Sequence, residues 1–163
     1  MIIPLLSILL LCTLSTSCNP EIAPEQEATA LIQEIQALSF YSKIESIQRL
    51  LEPLGTTIQK AAVHCEAKNM ATALEKIDKI AAYIGEREKI VQENLIAIAA
   101  LKLHKKNNIP NSVSPENLAL IEQNYTRYLD LFAQELEVLL KLLIPLMDCD
   151  TMTEEEINKI LTV

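Results

Sequence analysis

His64-Cys65-Glu66 is the only cluster of possible metal ligands in the sequence; a second short cluster, Asp148-Cys149-Asp150, is a candidate only as a calcium loop. Imidazole, thiolate and carboxylate are the ligand types of zinc-like cations. On a helix, however, neighbouring residues point about 100° apart, so at most two of His64, Cys65 and Glu66 can face one ion. The second cluster begins like a calcium loop. It then has Met152, Thr153 and Lys159 where an oxygen ligand, a glycine and a glutamate are needed. The Glu-x-x-His pair of di-iron bundles is missing, because Ala61 and Leu101 stand three residues before the two histidines, His64 and His104. The expected metal set is therefore none, and so is the expected cofactor set.

Other chemistries are excluded by composition. The chain has two glycines, Gly55 and Gly85. A phosphate-binding loop, a dinucleotide fingerprint or a nucleophile elbow each needs more, closely spaced. No serine has a recognisable base near it in sequence. His104 sits among Lys102, Lys105 and Lys106 and reads as a solvated residue. Tyr125, Tyr128 and Phe132 recur at helical spacing, which suits a core better than a ligand cage. No catalytic residue is expected, and the chain is not expected to be an enzyme.

The start of the chain carries a different kind of information. Residues 1–14 (MIIPLLSILLLCTL) are almost wholly apolar and contain no acid. Small residues follow, Ser15-Thr16-Ser17, and then Cys18. An apolar run ending in small residues reads as a secretory signal peptide. It is shorter than the ~20 residues a membrane-spanning helix needs. With Thr16 and Ser17 just before Cys18, this leader resembles a bacterial lipoprotein signal. The resemblance implies that residues 1–17 are removed, that Cys18 is lipidated, and that residues 18–23 tether a domain spanning 24–163 to a membrane. It also implies a periplasm-facing place in the cell envelope. Asn19, where an aspartate would hold the protein at the inner membrane, favours the outer one. Ser15 and Ser17 also satisfy an ordinary signal peptidase, which would leave a secreted or soluble periplasmic protein.

Four cysteines then reduce to two with an open role. Cys12 leaves with the leader and Cys18 carries the lipid, so Cys65 and Cys149 remain in an exported chain, where disulfides persist. A bridge between them closes a loop of about 85 residues, worth ~4 kcal/mol in the chain-entropy model. The alternative is two buried free thiols.

The elements that position these residues are helices. Half of the residues are apolar, yet aromatic residues make up 4% and glycines number two, a helical composition. From Pro24, apolar residues recur at Leu31, Ile35, Leu38, Ile44, Ile47, Leu51 and Leu54, and Pro53 with Gly55 is expected to end that helix. Thr56 and Gln59 have capping-box spacing for the next. Met70, Ile77, Ile84, Val91 and Ile98 repeat every seven residues up to Lys106. One helix from 56 to 106 would outreach its neighbours, so a break is expected, at Lys68-Asn69 rather than at Gly85. Ser114-Pro115-Glu116 opens the third long helix, with Leu118, Tyr125, Phe132, Leu139 and Leu146 in heptad register. Residues 136–147 are apolar on nearly every side, which calls for cover all round. Thr153 to Glu156 is a capping box for a short last helix that could supply it. The expected fold is all-α: an antiparallel bundle of three long helices plus one or two short ones. In a hairpin turning near residue 111, Cys149 falls opposite residue 73, close to Cys65 if the chain turns at Lys68-Asn69.

The formal net charge is −8. Residues 54–113 carry nine bases against six acids, while residues 114–163 carry ten acids against three bases. A basic middle between acidic flanks suits a chain folded on itself and does not suit nucleic acid, which needs a basic stripe with stacking aromatics. The expected function is a non-catalytic interaction module of the cell envelope, bound to the membrane through lipid on Cys18 and docking another envelope protein. In size, anchor and helix content it looks like the helical pilotins of secretion systems or like immunity lipoproteins, an analogy of shape that no motif carries. The alternative function is a carrier holding an apolar ligand between its helices.

Overall fold

The computed structural model describes residues 24–110 and 113–162. The expected leader (1–17) and the tether (18–23) with its lipidation site Cys18 lie outside the described residues. The elements are α1 (Pro24–Gln36), α2 (Tyr41–Ala67), α3 (Ala71–Lys106), α4 (Pro115–Leu143), a 3₁₀ segment (Ile144–Thr151) and α5 (Glu154–Ile160). The protein is an all-α helical bundle whose three long helices are α2, α3 and α4. None of the described helices is long and apolar enough to cross a membrane.

The expected break at Lys68-Asn69 is present, between α2 and α3. Asn69 does not cap the following helix. It adopts a left-handed conformation, φ 56°, and closes the preceding one. The Met70 amide donates to the Cys65 carbonyl at 2.8 Å and the Asn69 amide to the Glu66 carbonyl at 3.1 Å. These are the paired bonds of a Schellman end. Asn108, φ 52°, repeats the device at the end of α3, with Ile109 donating to His104 at 3.0 Å. Asparagine tolerates this region because its short polar side chain reduces the strain.

Two expected boundaries moved. The first helix stops at Gln36, and Leu38 and Phe40 are buried in the connection before Tyr41. The second then runs through Pro53 and Gly55 without ending. Thr56 and Thr57 do not cap a new helix. Their hydroxyls donate to the Glu52 and Pro53 carbonyls at 3.0 and 2.9 Å, one turn back. The physical reason lies in packing: Ile44, Ile47, Leu54, Thr57, Ala61 and Cys65 form one buried face across the proline. Burial of such a face outweighs the local preference of single residues.

The chain forms two compact units. In the first, residues up to Ser42 combine with Gln92–Thr126. Its core holds Leu31, Ile35, Leu38, Phe40, Leu95, Ile98, Leu118 and Tyr125. The Phe40 and Tyr125 rings meet edge to face at 5.1 Å, a favoured aromatic geometry. Ser114 caps α4 as its sequence suggested, its hydroxyl accepting from the Asn117 amide at 3.2 Å.

The second unit combines Lys43–Val91 with Arg127–Val163. Here Lys43 meets Asp130 and Lys60 donates to the Met147 carbonyl, both across 87 positions, so α2 and α4 run parallel with a fixed register. Tyr83 donates to Glu135 at 3.0 Å while Thr72 donates to Glu154 at 2.9 Å, so α3 runs the opposite way. Ile47, Leu54, Ile77, Leu129, Phe132, Leu136, Leu143 and Leu146 fill the core. The all-round cover expected for residues 136–147 is not present. Leu136, Leu143 and Leu146 are buried, whereas Val138, Ile144 and Met147 are exposed. The last helix does bury Ile157 and Leu161, and it packs on the 3₁₀ segment.

Gly85 does not interrupt α3, and a Cβ added there would meet nothing within 4 Å. Glycine in a helix interior costs about 1 kcal/mol relative to alanine through its extra backbone freedom. Gly85→Ala should therefore raise the melting temperature by roughly 2–4 °C. Thermal melts followed by circular dichroism check this, and an unchanged or lower midpoint would contradict the open surroundings of Gly85.

Candidate functional site

The last two turns of α2 and the end of the 3₁₀ segment bring together the chain's two clusters of chemically capable residues. Pro145 lacks the amide an α-helix would use, so the chain tightens into 3₁₀ turns after Leu143. A non-helical residue, Asp148 (φ −114°, ψ 37°), then bends it. The bend buries Cys149 and leaves Asp150 exposed. From the other side, the periodicity of α2 buries His64 and Cys65.

One ligand atom each from His64, Cys149 and Asp150 lies within 4.8 Å of the other two. His64 is only 9% exposed, and its Nε2 lies 3.4 Å from the Met152 carbonyl oxygen. Lys60, one turn earlier, donates to the Met147 carbonyl at 2.5 Å and reaches the Asp150 carboxylate at 3.3 Å. A surface groove opens onto this group, lined by Thr56, Gln59, Lys60, Val63 and Ala67 as well as His64 and Asp150. The sequence placed the candidate ligands within residues 64–66. The structure instead pairs His64 with residues 85 positions later, because the 3₁₀ bend, and no periodic pattern, decides where Cys149 and Asp150 stand.

The two cysteines are free thiols, both fully buried. Burial raises the Cys65 ionisation most, with further contributions from the nearby Cys149 and from Glu154. Burial also raises Cys149, followed by the charge of Asp150, against a smaller opposing effect of Lys60. Both thiols therefore stay protonated at neutral pH. This is not the setting of an activated nucleophile, which needs a lowered thiol ionisation and partial exposure.

The remaining polar groups have ordinary structural roles. In the first unit a groove beside Glu34, Lys102, Lys106 and Glu122 is occupied by its own ion pairs, Lys102–Glu122 at 3.0 Å and Lys106–Glu34 at 3.8 Å. In the second, the Arg87 guanidinium lies 5.2 Å from the Tyr83 ring centre and 6.0 Å from that of Tyr128. Side-chain hydrogen bonding to Tyr128, and then to Tyr83, pushes the Arg87 ionisation further up. Of the three aromatic residues at helical spacing, Tyr125 and Phe132 are core residues and Tyr128 is half-buried.

One functional feature escaped the sequence reading. The first turn of α3 starts at Ala71 without a capping side chain of its own, the Leu74 amide already reaching back to the Met70 carbonyl at 3.0 Å. Glu154 supplies the cap from the far end of the chain: its Oε1 accepts from the Thr72 amide at 2.9 Å and the Ala73 amide at 3.3 Å. A carboxylate at a helix N-terminus satisfies orphan amides and complements the helix dipole. Thr153 and Glu156 form the expected capping box of α5, and those hydrogen bonds hold the Glu156 carboxyl below its ordinary value.

Outside the tight group around His64, the second unit exposes apolar side chains that a folded chain usually hides. Leu131 and Val138 are 54% and 55% exposed and, being seven residues apart, share one face of α4. Ile144 and Met147 are 53% and 46% exposed, and a spacing of three stacks them on one side of a 3₁₀ turn. No protein-family model matches the chain, and no curated protein or solved structure matches it either.

Proposed function

We propose that the chain is an exported helical-bundle protein, held at a cell-envelope membrane by lipid on Cys18, that docks another envelope protein through the second half of α4. The observation that carries this reading is two exposed apolar pairs: Leu131 and Val138 on one face of α4, and Ile144 and Met147 on one side of the segment that follows. Single exposed hydrophobic residues need no explanation, but pairs that share a helix face suit an interaction surface. A helix face with apolar anchors at such spacing fits a partner groove or a partner helix. The protein acts by binding, with no catalytic residue assigned. The acyl chain and the docking face together confine the partner to the membrane surface.

Charge on the face tests this directly. Leu131→Glu with Val138→Glu should leave the melting temperature within a few degrees, since both side chains already sit in water. The same pair should abolish co-purification of a partner that the parent protein retains from solubilised envelopes. Retention of the partner by the double variant would overturn the assignment of the face. Release of lipid or pigment on denaturation, with no protein partner, would favour the carrier reading instead.

The Cys65–Cys149 bridge is part of the same proposal. It rests on two buried free thiols, Cys65 being next in sequence to His64, whose ring nitrogen lies within 4.8 Å of the Cys149 sulfur, in a chain whose leader points to an oxidising compartment. Protein isolated from such a compartment should resist alkylation at both positions until a reductant is added, and reduction should lower its melting temperature. Two freely alkylated thiols after unfolding without reductant would contradict the bridge.

A further inference from the structure

From the group formed by His64, Cys149 and Asp150 we infer a binding site for a zinc-like divalent cation, open to solvent on the Lys60 side. Three observations carry it. First, one ligand atom of each residue lies within 4.8 Å of the other two. A tetrahedral zinc site with bonds of ~2.0–2.3 Å holds its ligands ~3.3–3.8 Å apart, so closing the group takes movements of about 1 Å. Asp150 is exposed and can make that movement without disturbing the core. Second, the donor set is imidazole, thiolate and carboxylate, which suits zinc and cobalt. Magnesium and calcium prefer oxygen alone. Third, His64 is nearly buried with its Nε2 3.4 Å from the Met152 carbonyl oxygen, so donation of an Nε2 proton there would leave Nδ1 free to meet the cation. Metal-binding histidines commonly use one ring nitrogen this way, with a carbonyl fixing the other.

Three protein ligands leave a fourth position, and the groove that opens at His64 and Asp150 admits water there. Binding takes the proton from the Cys149 thiol into solvent, since a thiol gives up its proton on coordination. Lys60 now lies beside the carboxylate at 3.3 Å. The cation takes its place, and the lysine, 43% exposed, swings into solvent. Cys65 is not among the residues whose ligand atoms meet there. The metal and a Cys65–Cys149 bridge are competing fates of one sulfur atom. The cation binds the reduced protein and delays its oxidation.

The test uses the full chain in mild detergent, kept reduced by a non-thiol reductant and titrated with Co²⁺, then with Zn²⁺. One equivalent of Co²⁺ should give a sulfur-to-cobalt charge-transfer band, and Zn²⁺ should displace it and shield Cys149 from alkylation. His64→Ala and Cys149→Ser should each weaken binding at least ~100-fold, more than the loss of an outer-shell partner does. Asp150→Asn, at an exposed position that leaves the core untouched, should weaken it about tenfold and keeps the test valid if Cys149→Ser does not fold. Cys65→Ser should keep the band, and Lys60→Met should bind at least as tightly as the parent. Absence of the band from the reduced parent would overturn the site. So would equal affinity in the His64, Cys149 or Asp150 variants, loss of the band in folded Cys65→Ser, or weaker binding by Lys60→Met.

Discussion

Removing residues 152–163 should lower the melting temperature by roughly 10–20 °C and open the second unit to hydrophobic dyes. Three losses add up. Ile157 is fully buried and Leu161 nearly so, and removing a buried aliphatic side chain of this size costs about 2–5 kcal/mol. The Glu154 carboxylate leaves the amides of Thr72 and Ala73, which have no other cap, at a cost of about 1 kcal/mol. The Lys76 contact to the Asn158 carbonyl, at 3.5 Å, goes as well. In a chain of this size each kcal/mol moves the midpoint by about 2–4 °C. The newly bared side of the 3₁₀ segment then adds to an already exposed apolar face and should promote self-association. Glu154→Ala separates the contributions: it should reproduce the small uncapping cost without dye binding. A truncated protein as stable as its parent and silent toward dyes would show that α5 is not integral to the fold.

The second large effect concerns location. Cys18→Ala should move the protein from the membrane fraction of a bacterial cell to the soluble fraction, or leave it as an unprocessed precursor. A single acyl chain binds membranes only reversibly, whereas two or more anchor firmly. A lipoprotein-type Cys18 would carry several, so the shift should be nearly complete. None of the described helices is long and apolar enough to cross a membrane. Fractionation followed by immunoblotting reads the outcome. Continued membrane retention of a processed Cys18→Ala protein would rule out lipid on Cys18 as the anchor.

How much of this was legible depended on the range of the interaction concerned. In the two heptad series, Ile77, Ile84, Val91, Ile98, Leu118, Tyr125, Phe132 and Leu146 are buried and Met70 and Leu139 half-buried, because side-chain direction along a helix follows directly from sequence spacing. The break at Lys68-Asn69 and the start at Ser114 were readable for the same reason, since turn and cap chemistry is local. Pro53 and Gly55 misled because their local cost was overridden by a buried face running from Ile44 to Cys65. The cap that Glu154 places on α3 could not be read, since it joins residues 81 and 82 positions apart. The candidate cation site was hidden by the non-helical turn at Asp148, which no period predicts. The apolar circumference of residues 136–147 was plain in the sequence. Which side of it stays wet was not, because that is decided by the neighbours that α2, α3 and α5 provide.

The proposed docking of a membrane-associated partner through the apolar face of α4 is tested most directly by a photo-reactive residue placed at position 138 of the full chain, in the organism that makes it. Irradiation should give one dominant protein adduct in the membrane fraction. The same probe at Glu86, an exposed position on α3, should give little. The adduct should disappear when Leu131→Glu is introduced beside the probe. A folded, membrane-bound protein that yields no adduct at position 138, or the same adducts at 138 and 86, would contradict the docking face.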